Sequence, residues 1–286
     1  MKQRANSAVG QLKLIMENRI TEKFNQLKFD NQGGFIPFIV AGDPDLETTK
    51  KLILELADKD ASVIELGVPF SDPVADGVTI QLAAERALRN SVSVKDVLQI
   101  VAEIRAEQCE TPIILFSYFN PILQFGLENF VEKAKESGVD GILITDLIPE
   151  EAVEFRKILA EKNLSLIMLA APTSSDERLR KICAEASGFV YAVSRAGVTG
   201  ARNELSNDAE NLVERLRNYT DLPIAVGFGI SNADQIRATW KYAEAAVVGS
   251  AIVKVIEQAD SENVVEKVQE FLKNLLPNES TAKELQ

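Results

Sequence analysis

A carboxylate inside an apolar run is the first feature of this chain that could do chemistry. Glu65 sits in Val63–Leu66, a stretch that reads as a buried strand and should carry no charge. Beyond it two prolines, two glycines and two aspartates shape a polar loop that ends at Asp76-Gly77. One acid in a strand and a second at the end of the following loop fit a two-carboxylate site for proton transfer. Either residue alone reads equally well as structural: Glu65 as a hydrogen-bonded core carboxylate, Asp76 as the start of an Asp-Gly turn. Asp43 and Asp146 lie in other strand-end turns beside proline and read as structural or accessory. Composition strengthens the pair, because the chain has no histidine. Imidazole acid–base catalysis, Ser-His and Cys-His nucleophiles and most catalytic zinc sites are thereby removed. None of the strand-like runs holds a lysine, which argues against a Schiff-base aldolase. No His/Cys/carboxylate set has metal-ligand spacing, so no metal is expected.

The elements that must position these acids follow from periodicity. Apolar runs occur at Phe35–Ala41, Val63–Leu66, Ile113–Phe116, Gly141–Ile144, Leu164–Leu169, Phe189–Val193, Ile224–Val226 and Ala246–Val248. Helical spacing fills the intervals: Leu46–Lys59, Val78–Arg89, Val94–Glu107, Leu127–Ser137, Glu150–Lys162, Asp176–Ala186, Asp208–Tyr219 and Ala233–Tyr242. Ala251–Glu257 and Asn263–Leu275 close the chain, and Ser175 and Ser231 stand as N-caps. Unbroken strand–helix alternation predicts an α/β fold, a (β/α)8 TIM barrel. Leu12–Leu27 adds an N-terminal helix able to cover the barrel bottom, and a short helix follows strand 8. No G-x-G-x-x-G follows the first strand, which disfavours a dinucleotide-binding sheet. Residues 1–16 are expected to be a flexible, basic tail rather than a targeting peptide, 17–276 a single domain, and 277–286 a second flexible tail.

In a barrel, catalytic groups collect at the C-terminal ends of the strands. There Gly227-Phe-Gly229 and Gly249-Ser250 precede helices and read as a phosphate cradle of backbone amides and helix dipole. Gly197-Val-Thr-Gly200, between Arg195 and Arg202, reads as a lid. Phe38, Leu115, Tyr118 and Phe228 supply apolar walls. The formal charge of −12 opposes nucleic-acid binding, and no apolar run reaches membrane-spanning length. Cys109 and Cys183 read as free thiols of a reducing compartment. The residues themselves lead to a lyase or isomerase acting on a phosphorylated, partly apolar substrate.

The chain resembles the tryptophan synthase alpha subunit family. The resemblance rests on Pro37-Phe-Ile-Val-Ala-Gly-Asp-Pro44, Ile64-Glu-Leu-Gly-Val-Pro-Phe-Ser-Asp-Pro73, Ala75-Asp-Gly77 with Thr79-Ile-Gln81, and Tyr118-Phe-Asn-Pro121. Gly138-Val-Asp-Gly141, Ser194-Arg195, Gly197–Gly200, Gly227–Ser231 and Val248–Val253 continue it in family order. It implies reversible retro-aldol cleavage of indole-3-glycerol phosphate to indole and glyceraldehyde 3-phosphate, with no cofactor in this subunit. By resemblance, Glu65 protonates indole C3 and helps deprotonate the glycerol hydroxyl, Asp76 binds the ring N–H, and Tyr191, at the end of strand 6, lies beside the glutamate. Phe38, Tyr118, Thr199 and Phe228 match positions around the indole; Gly200, Gly229, Gly249 and Ser250 match phosphate positions. The implied partner is a pyridoxal-phosphate-bearing beta subunit in an alpha2beta2 complex, in the cytoplasm, or in the plastid stroma for a photosynthetic eukaryote. Val74, Val78, Thr145, Ile148 and Ala196 depart from the family pattern and bear on loop rigidity and partner coupling. A free-standing indole-releasing lyase and a weakly active regulatory paralogue are the alternative readings.

Overall fold

Eight short parallel strands close on themselves, β1 pairing with β8, in a computed structural model that describes residues 18–193, 207–227, 229–260 and 262–276. The first elements are α1 (Arg19–Phe29), β1 (Gly34–Val40), α2 (Leu46–Asp58), β2 (Ile64–Gly67), α3 (Val78–Arg89) and α4 (Val94–Ala106). Next come β3 (Ile113–Ser117), α5 (Phe119–Phe125), α6 (Leu127–Ser137), β4 (Gly141–Ile144), α7 (Pro149–Glu161), β5 (Ser165–Ala170) and α8 (Asp176–Glu185). The chain continues through β6 (Val190–Val193), α9 (Asn207–Arg217), β7 (Ile224–Gly227), α10 (Ala233–Thr239), β8 (Ala245–Val248), α11 (Ser250–Gln258) and α12 (Val264–Leu275). The (β/α)8 barrel expected from the alternation is the fold observed, and all eight apolar runs are strands. Positions 1–16 and 277–286, expected as tails, lie outside the described residues.

Side-chain parity divides the apolar residues into two layers. Ile64, Leu66, Leu115, Ile142, Val226 and Val248 point outward and pack beneath the helices. Ile36, Val63, Ile114, Leu143, Ile167, Tyr191 and Val247 point inward and fill the barrel. Both faces of each strand are therefore apolar, which is why the sequence reads as continuous runs rather than as alternation. The inner core is closed from below by α1. Its Ile20, Phe24 and Leu27 recur at helical spacing and join the inward layer, and the Phe24 ring lies 5.6 Å from that of Phe189. Asn18 caps this helix by accepting from the Thr21 amide, and its own amide donates to Ser165 Oγ at 2.9 Å.

A buried ionic cluster pins the same end. Asp140, just before β4, accepts from Arg105 at 2.7 Å, from the Ile113 amide at 2.9 Å and from Arg19 at 3.1 Å. Arg105 also donates to the carbonyls of Gly138, Thr111 and Cys109, so each buried charge finds partners. Nothing local in the sequence announces this cluster. Helix α5 is not among the helices that periodicity predicts; Pro121 falls in its first turn, where a missing amide hydrogen costs nothing. Ser231 is not the cap of α10: Asn232 accepts from the Gln235 amide, and Ser231 instead donates its amide to the Gln235 side chain. Ser175 caps α8 as expected.

Candidate active site

Glu65 is the second residue of β2 and follows inward-facing Val63 by two, so it too faces the barrel interior. Only 1% of it is exposed, and its Oε1 has no hydrogen-bond partner among the described residues. Burial pushes its pKa well above the ordinary carboxylate range. A carboxyl biased toward its neutral form in a strand-lined interior can serve as a proton donor. Register places Phe38 of β1 opposite Glu65 on one side and Ile114 of β3 opposite it on the other.

Asp76 ends the β2–α3 loop and is also buried. The loop is folded by its own backbone: the Asp76 amide donates to the Pro73 carbonyl at 3.0 Å, and Gln81 donates to the Asp76 carbonyl at 2.9 Å. Tyr118 donates its hydroxyl to Asp76 Oδ2 at 3.0 Å. Burial pushes the Asp76 pKa up to about 6, with the Tyr118 hydrogen bond acting in the opposite direction. Glu65, whose Oε1 has no partner among the described residues, and Asp76, which has the Tyr118 donor, thus occupy environments of different polarity, which is how two carboxylates acquire different protonation states.

Tyr191 belongs to the same interior, but in the body of β6 rather than at its end. Burial first, then the nearby charges of Glu65 and Asp76, hold its phenol well above its ordinary pKa, so it stays protonated. Gly227 makes room for it: a Cβ there would lie 2.0 Å from the Tyr191 hydroxyl oxygen. Asp43 and Asp146 are structural, as their turn positions suggested. Asp43 accepts two bonds from Arg86, at 2.7 and 2.9 Å, and Asp146 accepts from the Phe119 amide at 2.8 Å.

A cavity of about 20 Å³ lies beside Asp76, lined by Phe38, Val68, Phe70, Ile80, Phe116 and Tyr118 among others. Phe38 meets Phe116 edge to face at 5.1 Å, and Phe70 meets Tyr118 at 5.2 Å. Space of that size holds about one water, so a bicyclic ring enters only if these rings move apart. Leu115 is not a wall of this cavity. It points outward under the helices, and its neighbour Phe116 takes the inward place. Phe70 escapes the sequence reading because it lies on the β2–α3 loop, which has no periodicity to read, and Phe116 because a strand apolar on both faces conceals its parity. Glu65 is paired with Ile114, and that register was the signal that could have given it.

One of the proposed phosphate loops, at Gly249, adjoins Phe38 of the aromatic wall. Gly249 caps α11, and a Cβ on it would stand 3.4 Å from the Phe38 Cβ. Ser250 opens α11 and is exposed. Gly229 is exposed at φ +81°, a left-handed conformation that suits glycine, and its Cβ position is open space. Thr199, Gly200 and Phe228, together with the glycine-rich segment from Arg195 to Arg202, lie outside the described residues. No helix among the described residues is long and apolar enough to cross a membrane.

Comparison with known proteins adds the family. The family model described as tryptophan synthase alpha chain matches residues 24–280. A tryptophan synthase alpha chain from Caulobacter vibrioides is 48% identical over 256 residues, which cover 89% of this chain and 93% of that one. Its counterpart from Prochlorococcus marinus is 44% identical over 259 residues, 90% of this chain and 92% of the relative. Among solved structures, the tryptophan synthase subunit alpha of Legionella pneumophila superposes with a TM-score of 0.81 at 35% identity, over 89% of this chain and 95% of that one. A chain from the tryptophan synthase a2b2 complex of Pyrococcus furiosus gives 0.80 at 43% identity, over 85% of this chain and 97% of that one. The eight-stranded barrel, the paired interior carboxylates and these likenesses agree: the chain belongs to the tryptophan synthase alpha chain family, lyases of tryptophan biosynthesis.

Proposed function

We propose that Glu65 is the acid–base residue of a retro-aldol cleavage of indole-3-glycerol phosphate, with Asp76 as the electrostatic partner of the ring nitrogen. The observation that carries this is the buried Glu65 carboxyl, whose Oε1 has no hydrogen-bond partner among the described residues. Indole is a poor leaving group until its C3 is protonated. The neutral Glu65 gives its proton to C3, and the positive charge that appears is shared with the ring N–H. Asp76, ionised above about pH 6, accepts that N–H and stabilises the cation. The Glu65 carboxylate then takes the hydroxyl proton of the adjacent glycerol carbon. The carbon–carbon bond breaks, its electron pair restores the aromatic ring, and the glycerol fragment leaves as glyceraldehyde 3-phosphate. Glu65 ends protonated, so the cycle consumes no external acid, oxidant or cofactor.

Phe38, Tyr118 and Phe228 would flank the ring, and Tyr191 would stand beside Glu65. Amides at Gly229, Gly249 and Ser250 would hold the phosphate, with Thr199 and Gly200 closing over it. Gly249 adjoining Phe38 supports one continuous site for ring and phosphate. Pyridoxal phosphate belongs, on this reading, to the beta subunit, and the compartment is the cytoplasm.

Assembly with a beta subunit is supported by the rim around the site. Val74 is 83% exposed, Leu123 51% and Ile148 41%. They lie on the loops or helices that follow β2, β3 and β4, three adjacent strands. Apolar side chains gathered on one rim fit a protein-docking surface. The Pyrococcus furiosus relative is known as an a2b2 complex with mutual activation. The test is indole release by the purified chain with a beta subunit, compared with Glu65→Gln. That variant is expected to lose cleavage at least a thousandfold while still binding glyceraldehyde 3-phosphate. Retained turnover in the variant moves the acid–base role to another residue.

A further inference from the structure

Tyr118 matches a position beside the substrate ring, yet its hydroxyl is already engaged by the protein. It donates to Asp76 Oδ2 at 3.0 Å and accepts from the Ala75 amide at 2.9 Å. The Thr145 hydroxyl is a further hydrogen-bonding neighbour. The ring leans on Phe70 and is almost wholly buried. A phenol with its donor and acceptor both committed has no hydrogen bond to offer a ligand. Asp76, by contrast, rides on a loop whose only other described supports are backbone bonds and Gln81, and none of these reaches its carboxylate.

We infer that Tyr118 is a positioning residue for the cleavage reaction, acting through Asp76: it fastens the β2–α3 loop to the end of β3 and turns the carboxylate toward the ring nitrogen. Resting on the acid–base reading above, this inference assigns Tyr118 a task other than lining the indole. Holding Oδ2 leaves Oδ1 for the substrate N–H, so one bond fixes both the place and the direction of the acceptor. It also keeps the carboxylate ionised. Tyr118 donates to it from the end of β3, whereas Glu65 on β2 and Tyr191 on β6 share its electrostatic surroundings; the neighbouring loop acid Asp72 is tied to Ser71. The neighbour from α3, Gln81, is uncharged. Tyr118 is therefore the donor that opposes the rise caused by burial.

The experiment compares wild type and Tyr118→Phe, each with a beta subunit, for kcat, KM and the pH dependence of indole-3-glycerol phosphate cleavage. Circular dichroism and glyceraldehyde 3-phosphate binding confirm that the variant is folded. The change removes one oxygen. It is expected to lower kcat about tenfold, as for one hydrogen bond to a charged acceptor, to leave KM within about twofold, and to raise the acid inflection by about one pH unit. Tyr118→Phe added to Asp76→Asn is expected to cost less than about twofold more than Asp76→Asn alone, because the residue acts through Asp76. A risen KM with kcat intact would make Tyr118 a substrate contact alone, with no positioning task, and overturn the inference. So would an unmoved pH inflection, or losses that multiply in the double variant. Should Tyr118→Phe fail to fold, Tyr118→Leu, which is smaller and has no donor, is read the same way. Absence of cleavage by wild type would instead refute the underlying acid–base reading.

Discussion

At the scale of residues, burial does most of the chemical work. Glu65 Oε1 finds no hydrogen-bond partner among the described residues, so the low-dielectric interior favours the neutral form of this carboxyl. A carboxyl whose pKa is higher folded than unfolded binds its proton more tightly in the folded state. Its stability contribution is therefore unopposed below the unfolded pKa near 4.5 and is eroded as pH rises toward the folded value. Glu65→Gln removes that group while keeping its shape. The variant is expected to gain stability on wild type as pH increases from 5 to 8, which paired urea titrations across that range measure. A stability difference that stays flat with pH would mean that Glu65 is ionised and compensated in the folded protein. The two acids were legible in the sequence because charge is conspicuous in an apolar run and beside a turn. Phe116 was not, because an apolar residue in a strand buried on both faces carries no mark of direction; Leu115 was the wrong choice of the pair.

Elements are held at the opposite end of the barrel from the chemistry. α1 closes the floor with Ile20, Phe24 and Leu27, while Asp140 binds Arg19 on that helix and Arg105 on α4. Asp140→Ala would leave the guanidinium of Arg105, already depressed in pKa by burial, without its carboxylate. The expected loss is about 3–5 kcal/mol in urea unfolding, with little change in KM for those molecules that remain folded. A loss below about 1 kcal/mol would show that the carbonyls around Arg105 suffice. Strand and helix placement was readable from periodicity, and even the floor helix was anticipated from Leu12–Leu27. What could not be read were the long-range bonds. Arg105 and Asp140 are separated by 35 residues, and nothing local in either segment announces that they meet. Helix α5 is likewise absent from the helical spacing, and Trp240 anchors its indole N–H on the Gly34 carbonyl at 2.8 Å, 206 residues away.

The whole molecule separates a sealed floor from an apolar rim. On the rim Phe119 and Asp146 join the segments after β3 and β4, and Tyr118 joins those after β2 and β3. A partner seated on Val74, Leu123 and Ile148 would thus press on the same segments that orient Asp76. Leu123→Asp and Ile148→Asp each place a charge in that contact and touch none of the proposed catalytic groups. Each is expected to weaken binding of a beta subunit at least tenfold in calorimetry while leaving unassisted cleavage within about twofold. Binding unchanged by both would put the partner on another face.

The central claim is that two interior carboxylates, with Glu65 as the acid, cleave indole-3-glycerol phosphate. Its most direct test is the rate of indole release by the purified chain, wild type beside Glu65→Gln, with and without a beta subunit. The account expects wild-type turnover that rises with the partner and none from the variant in either condition. Equal turnover by the two proteins, or none from wild type even with the partner, would contradict it.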